Sequence, residues 1–504
     1  MATHNRSDSA HASDDGSSGN SFDVLIIGAG ISGINSAYRV QNNLPSATYA
    51  VLEGRANLGG TWDLFKYPGI RSDSDLYTFG FPFNPWYKDN PIATGDSIVQ
   101  YMTATTKKFG IDKHLKFQHK VRSADWSTAE QRWVLDVETE AGSKTMYARF
   151  LILGTGYYNY DKPLDADIPG LENFQGKRIH PQFWPSDFDY SNKKIVVIGS
   201  GATAITLVPA LAEKAAKVTM LQRSPSYILS LPQRKPGDPP SWSEWLLPRS
   251  ILLKFRRWFF LVQPYLFYLF CRKYPEKASK FVIGGARKQL PKDMAIDPHF
   301  TPRYNVWDQR LCLCPNGDFF KAFKRGNTDV VTSTIKTVTA DGIELANGDK
   351  LSADVIVTAT GLNLQFCGQI ALSVDKKPIN IPQHFLWRNT MISSVPNLFT
   401  VIGYVNAPWT LGADSCARLV TRLIAHMDKK GYTSATPEIS AEAAAQPTQA
   451  LALKSTYIQR GLDHMPKTAT VGPWKPRENY FKDNWTANWG KLEEGLVLTN
   501  AKSA

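Results

Sequence analysis

Cysteine is scarce in this 504-residue chain, with five residues at Cys271, Cys312, Cys314, Cys367 and Cys416. So odd and sparse a set excludes a disulfide framework and points to a reducing, cytoplasmic compartment. Cys312 and Cys314 are two apart, but no second pair or histidine cluster completes a ligand set, so no metal site is expected. The first 21 residues hold six serines and no Leu, Ile, Val or Phe. Residues 1–21 therefore lack the apolar segment of a secretory signal and read as a disordered tail, with the fold beginning near Phe22. Long apolar runs are missing as well. The longest, Trp258 to Cys271, has 14 residues with Pro264 inside it, short of the ~20 that a spanning helix needs.

Acidic residues are the minority charge, 45 against 58 Lys plus Arg, which leaves a net charge of +13. At 43% apolar and 20% charged the composition is that of a folded protein, and its length suits two to four domains of about 150 residues. Aromatics are plentiful, with 14 Trp, 20 Tyr and 25 Phe. Positive charge beside aromatics suits a nucleic-acid groove, a membrane surface or a flat anionic cofactor. No helix-turn-helix, zinc-finger or ribonucleoprotein pattern accompanies it, so nucleic acid is not an expected partner.

Short apolar runs at Val24–Ile27, Phe150–Leu153, Ile195–Ile198 and Val355–Val357 are bounded by glycine-rich turns, as buried parallel strands are. Helical stretches follow the first run, at Ile31–Gln41, and the third, at Ala202–Lys217. This rhythm predicts an α/β architecture with two Rossmann-like dinucleotide-binding units. Prolines break the pattern at Leu231–Pro240, an aromatic, basic and helical region follows at Trp242–Ala286, and Ser434–Thr448 reads as a surface connection.

The first unit carries Gly28-Ala-Gly30-Ile-Ser32-Gly33 directly after a strand. Gly28 permits the turn, Gly30 the approach of a pyrophosphate, and Gly33 the close packing of helix on strand. The next strand, Tyr49–Leu52, ends in Glu53, 20 residues after Gly33, where an acceptor for a ribose hydroxyl belongs. The second unit reads Gly199-Ser200-Gly201-Ala202-Thr203-Ala204, and its following strand ends in Gln222-Arg223-Ser224. A carboxylate there would repel a 2′-phosphate, whereas a guanidinium binds one bidentately. FAD in the first unit and NADPH in the second satisfy both patterns.

Between the units, Phe174-Gln-Gly176-Lys-Arg-Ile-His180-Pro-Gln-Phe-Trp184-Pro185 matches FxGxxxHxxxWP. This resembles the signature of type I Baeyer-Villiger monooxygenases, and Gly59-Gly60-Thr61-Trp62-Asp63, Tyr67–Asp73, Gly154–Tyr160 and Asp308–Leu313 make the chain most similar to the ethionamide-activating subgroup. The resemblance implies that NADPH reduces FAD, that O2 adds to the flavin as a C4a-peroxyflavin, and that this attacks an apolar ketone to give an ester or lactone, with sulfides as further substrates. It implies catalytic roles for Arg310 and for Asp73 as its carboxylate partner, and an FAD lining of Gly60, Thr61, Trp62, Asp63 and Asp73 with a backbone contact from Val121. It places an FAD domain at 22–160 and 335–504, and an NADPH domain at 161–334 with a helical insertion at about 235–305. His180 and Trp184 are expected to orient the linker rather than move protons. A related N- or S-oxygenating flavin monooxygenase is the alternative, and a non-oxygenating membrane-associated flavoprotein is another. A disulfide reductase would need a redox cysteine pair with the usual two-residue spacer, which Cys312-Leu-Cys314 lacks.

The stretch Ile251–Lys273 carries eight aromatics flanked by Lys254, Arg256, Arg257, Arg272 and Lys273. Two readings stand: a helix burying its aromatics over the substrate cavity, or a peripheral contact with anionic membrane.

Overall fold

The structure is a computed structural model that describes residues 19–234, 238–239, 242–404, 406–450, 456–477 and 479–500. The tail read at residues 1–21 lies outside the described residues up to residue 18. Strand β1 (Ser21–Ile27), helix α1 (Ile31–Asn43) and strand β2 (Tyr49–Leu52) form the first strand–helix–strand unit. Val24–Leu52 pairing is parallel, and both strands are covered on two faces, which is why their sequences are continuously apolar instead of alternating. Helices α2 (Thr61–Leu64), α3 (Leu76–Phe79) and α4 (Gly95–Lys108) lead to β3 (Leu115–Lys116), which joins the edge beside β2. An antiparallel meander follows: β4 (Lys120–Ser127), β5 (Arg132–Thr139) and β6 (Gly142–Leu153). Burial alternates along β6 until its last four residues, which are buried in succession, since there it leaves β5 and runs between β1 and the strand Leu398–Thr400, parallel to both.

The second unit is a five-stranded, all-parallel sheet. It contains β7 (Lys177–Ile179), β8 (Lys194–Ile198) and, after α5 (Ala202–Leu211), β9 (Lys217–Gln222). Strand β10 (Ile228–Leu231) leads to the helical insertion, α6 (Trp242–Leu246), α7 (Arg249–Lys273) and α8 (Pro275–Arg287), after which β11 (Cys312–Pro315) pairs back on β10. Helix α9 (Asp318–Ala322), β12 (Thr328–Thr332), the meander β13 (Ile335–Thr339), β14 (Gly342–Leu345) and β15 (Lys350–Ser352), and then β16 (Val355–Thr358) complete it. The sheet order is β12–β9–β8–β16–β7.

The expected return to the first unit at residue 335 is therefore corrected. Strand β16 inserts between β8 and β7 with all four residues buried, and Val338, Ile343 and Leu345 pack with Val196 and Ile198 of the second sheet. The chain crosses back only after Thr358. Helix α5 also ends at Leu211, six residues short of the expected Lys217.

Helix α10 (Trp409–Lys430) covers α1. The buried pair Arg39–Asp414, 2.7 Å apart, ties the two helices together, and Asp414 also accepts Arg418 at 2.7 Å. Truncating either member of such a pair strands a buried charge. The C-terminal part holds α11 (Ala441–Ala444), α12 (Thr456–Gly461) and α13 (Tyr480–Trp489). Ser434–Thr448 is more than a surface connection: its first residues belong to the strand Tyr432–Pro437, paired with Leu496–Asn500, and Ala435 is fully buried.

Candidate active site

The two phosphate turns have the geometry their glycines imply. A Cβ on Gly33 would overlap the Gly28 carbonyl, and one on Gly28 would meet the Gly154 carbonyl oxygen at 2.8 Å, so strand, helix and crossover loop touch backbone to backbone. Gly60 faces Gly30 across the turn: a Cβ there would lie 3.2 Å from the Gly30 Cα. Neither α1 nor α5 has a side chain capping its N-terminus or an acidic residue in its first turn. Both termini thus present backbone amides and the positive end of the helix dipole to a glycine-lined cradle, which fits a pyrophosphate. Around Gly201 a Cβ would meet nothing within 4 Å, which leaves the approach to α5 open.

Glu53 lies at the end of β2 beside the first turn. Its Oε2 accepts the Ala29 amide at 2.8 Å and its Oε1 the Arg55 amide at 3.0 Å. Burial pushes this carboxyl up, and the two amides pull against that shift. Each oxygen keeps a second lone pair for a hydroxyl donor. The His119 amide bonds the Glu53 carbonyl at 2.9 Å, which brings Val121 in β4 alongside. Thr61 shares a 3.0 Å hydrogen bond with Tyr160, and Trp62 packs edge-on against Phe79. Asp63 pairs with Arg55 at 2.7 Å, while Arg55 also donates to the Gly60 carbonyl at 3.2 Å, so this carboxylate fixes the turn facing Gly30. The Ser32 hydroxyl accepts the Trp409 indole N–H at 2.9 Å, and Trp409 stacks on Tyr157.

In the second unit the Ser200 hydroxyl donates to the Ser224 carbonyl at 2.7 Å, which places the residue before it, exposed Arg223, next to the Gly199–Gly201 turn. Thr203 hydrogen-bonds Tyr67, and Ala204, in the first turn of α5, is fully buried. Half-buried His180 is pushed below its ordinary range by desolvation. Its Nε2 lies 3.3 Å from the Gly361 carbonyl, at the crossover between units. The ring thus bridges the two units, and Trp184 is core.

Arg310 and Asp73, 237 positions apart in sequence, form a two-pronged ion pair: Nε to Oδ2 at 2.9 Å and Nη2 to Oδ1 at 3.1 Å. Asp73 ends a segment that packs on the second unit through Gly69 against α5 and through Arg71, which is paired with Asp318. Both members of the Arg310–Asp73 pair line a cavity of about 390 Å³. Its wall is apolar, with Leu229, Leu311, and Phe260, Leu261, Phe267 and Tyr268 from α7. The helical insertion thus covers the cavity. Sequence reasoning missed Tyr480 and Phe481 of α13, which line it from the far end of the chain, and the bridging Trp409, Tyr157 and Tyr67. The C-terminal aromatics were the only signal available. Cys312 and Cys314 are buried free thiols, pushed up to about 12 and about 11 by desolvation, so neither is poised as a thiolate.

Asp75 also lines the cavity and caps α3, accepting the Thr78 amide at 2.8 Å and hydroxyl at 2.6 Å. Burial pushes its carboxyl up to about 6. The folded protein then holds this proton where the unfolded chain has released it, so stability falls as pH rises from about 4 to about 6 and levels off above. Asp75→Asn is expected to remove that slope. Urea unfolding should show the variant gaining about 2 kcal/mol on the parent between pH 4 and pH 7; a constant difference would contradict the assignment.

A sequence profile described as flavin-binding monooxygenase-like matches residues 22–242. The chain is 45% identical over 478 residues to the FAD-containing monooxygenase EthA of Mycobacterium tuberculosis (strain H37Rv), covering 94% of this chain and 97% of that one. Its fold is similar to OTEMO solved with FAD and NADP, at a TM-score of 0.72 and 20% identity over 95% of this chain and 99% of that one. It is also similar to the open form of cyclohexanone monooxygenase, at 0.73 and 19% over 95% and 100%. Near-complete coverage at that identity bears out the family resemblance read from the motifs, and with two glycine-lined phosphate turns in place the chain belongs to the flavin-binding monooxygenase-like family.

Proposed function

We propose that this chain is an FAD- and NADPH-dependent Baeyer-Villiger monooxygenase that converts apolar ketones to esters or lactones and oxygenates sulfides in the same cavity. The observation that carries this reading is the Arg310–Asp73 pair set into the wall of an apolar cavity. The α1 and α5 N-termini bind the two pyrophosphates, Glu53 accepts a ribose hydroxyl of FAD, and Arg223 binds the 2′-phosphate of NADPH. When bound, the flavin, reduced by NADPH, supplies the activation of O2. Arg310 provides a charge that stays protonated at every working pH and stabilises negative charge as it develops on oxygen. Asp73 holds the guanidinium in one orientation, and the aromatic wall excludes water. Overall, a ketone, O2, NADPH and a proton give an ester, NADP+ and water, with one oxygen atom inserted beside the carbonyl.

Incubation with a ketone and a sulfide under 18O2, followed by mass spectrometry, tests this. The expected products are an ester carrying one labelled oxygen and a singly labelled sulfoxide. A sulfoxide with no ester would assign the chain to the N- or S-oxygenating relatives instead.

A further inference from the structure

Helix α7 has two apolar faces. The inner one walls the cavity and is anchored by Arg257, which donates to the Tyr77 and Gly80 carbonyls at 2.7 and 3.0 Å, and by Arg256, paired with Asp89 and Glu244. These two arginines, expected to flank a membrane contact, thus point into the protein. The outer face carries Ile251, Phe255, Trp258, Phe259, Leu266 and Leu269, all exposed, with Trp258 at 58% and Leu266 at 57%. Their spacing traces one stripe along about 27 Å of helix. Helix α13 presents a second stripe, Phe481, Trp485 and Trp489, at four-residue intervals, with Trp489 74% exposed. The Tyr265 and Phe481 rings meet at 5.4 Å and join the stripes into one surface. A continuous apolar surface of this extent marks an interaction site.

Charge selects the occupant. From Arg249 to Lys288 the sequence has ten Lys or Arg and a single acidic residue, Glu276. Exposed Lys254 stands near one end of the α7 stripe, and exposed Lys273, Lys277 and Lys280 at the other. A two-fold contact between copies of this chain would set these lysines against their equals, and lysine is depleted from protein interfaces. Tryptophan with lysine around an apolar helical stripe suits the headgroup boundary of an anionic bilayer. No helix among the described residues is long and apolar enough to cross a membrane, so such a helix lies in the plane of the surface. The cavity opens onto the same face: Phe281 and Phe481 line it while being 63% and 42% exposed.

We propose that α7 and α13 dock on an anionic lipid surface and that the cavity is loaded from it, so that bilayer-dissolved, long-chain substrates are the preferred class. The substrate half of this proposal rests on the monooxygenase reading; the docking half does not. The test is flotation of the full chain with phosphatidylcholine vesicles containing or lacking half phosphatidylglycerol. Binding is expected only with the anionic lipid at low salt, with release at about 0.5 M salt. The triple variant Phe255→Ser, Trp258→Ser, Trp485→Ser touches neither cavity nor cofactor turns. It should bind at least about tenfold more weakly. It should also keep the parent's turnover of a short water-soluble ketone, which reports that it is folded, and lose about tenfold on a long-chain ketone presented in vesicles. A charge variant, Lys254→Glu with Lys273→Glu, should weaken flotation with turnover of the short ketone intact. Failure of the parent to float, or a dimer in sedimentation that the triple variant dissolves, overturns the docking. Equal loss on both ketones overturns the loading route. Flotation without turnover of any ketone would instead refute the monooxygenase reading and leave the docking standing.

Discussion

Arg310→Ala is expected to lower ester formation by about 10²- to 10³-fold or more, the effect of removing a fixed donor from a site of developing oxyanion charge. Its FAD content should match the parent's, because the substitution leaves Glu53 and the glycines of both phosphate turns in place and removes a side chain paired with Asp73 in the cavity wall. NADPH oxidation should continue, with the consumed O2 recovered as hydrogen peroxide, since the electrons still reach O2 but are no longer coupled to the ketone. Arg310→Lys keeps the charge and loses the two-pronged geometry, so it should recover part of the coupling. The measurement is product and peroxide per NADPH consumed. Ester at the parental ratio in the alanine variant would remove Arg310 from the chemistry.

The second large effect concerns the nucleotide. Arg223→Ala should raise KM for NADPH by about 30- to 100-fold, the loss of one or two charge-assisted hydrogen bonds to a phosphate, and leave KM for NADH within about twofold. The discriminating quantity is the ratio of kcat/KM for the two nucleotides, since a general disturbance of the turn lowers both. Equal loss would show that Arg223 has no phosphate role. The Ser200–Ser224 hydrogen bond keeps the turn and the end of β9 together in the variant, so folding should be unaffected.

These residues were legible in the sequence because backbone geometry left little choice there. Gly33 tolerates no Cβ against Gly28, and Glu53 and Arg223 each follow a strand that must end beside its phosphate turn. The Arg310–Asp73 pairing came from the family motifs, since no spacing rule joins residues so far apart. The misplaced return at residue 335 has a plain cause: Val355–Val357 is recognisable as a buried parallel strand, but nothing in a three-residue apolar run says which sheet will take it. Ser434–Thr448 misled through its polar composition, because Ala435 is buried by partners more than 60 residues later. The cavity was half legible. Its α7 wall was visible as an aromatic helix, but which aromatics face inward was not, and Tyr480 and Phe481 carry no local sign of what they line.

The segment Tyr67–Asp73 grows from the first unit, yet Tyr67, Gly69, Arg71 and Asp73 all find partners in the second, at Thr203, α5, Asp318 and Arg310. Two of these four contacts are ion pairs, and each is split between the units. Hinge opening would separate both pairs at once and take the carboxylate away from Arg310. The segment therefore acts as a latch: the carboxylate that orients the cation at the cavity wall is delivered from the other nucleotide-binding unit, which ties this part of the chemical site to the docking of the two units.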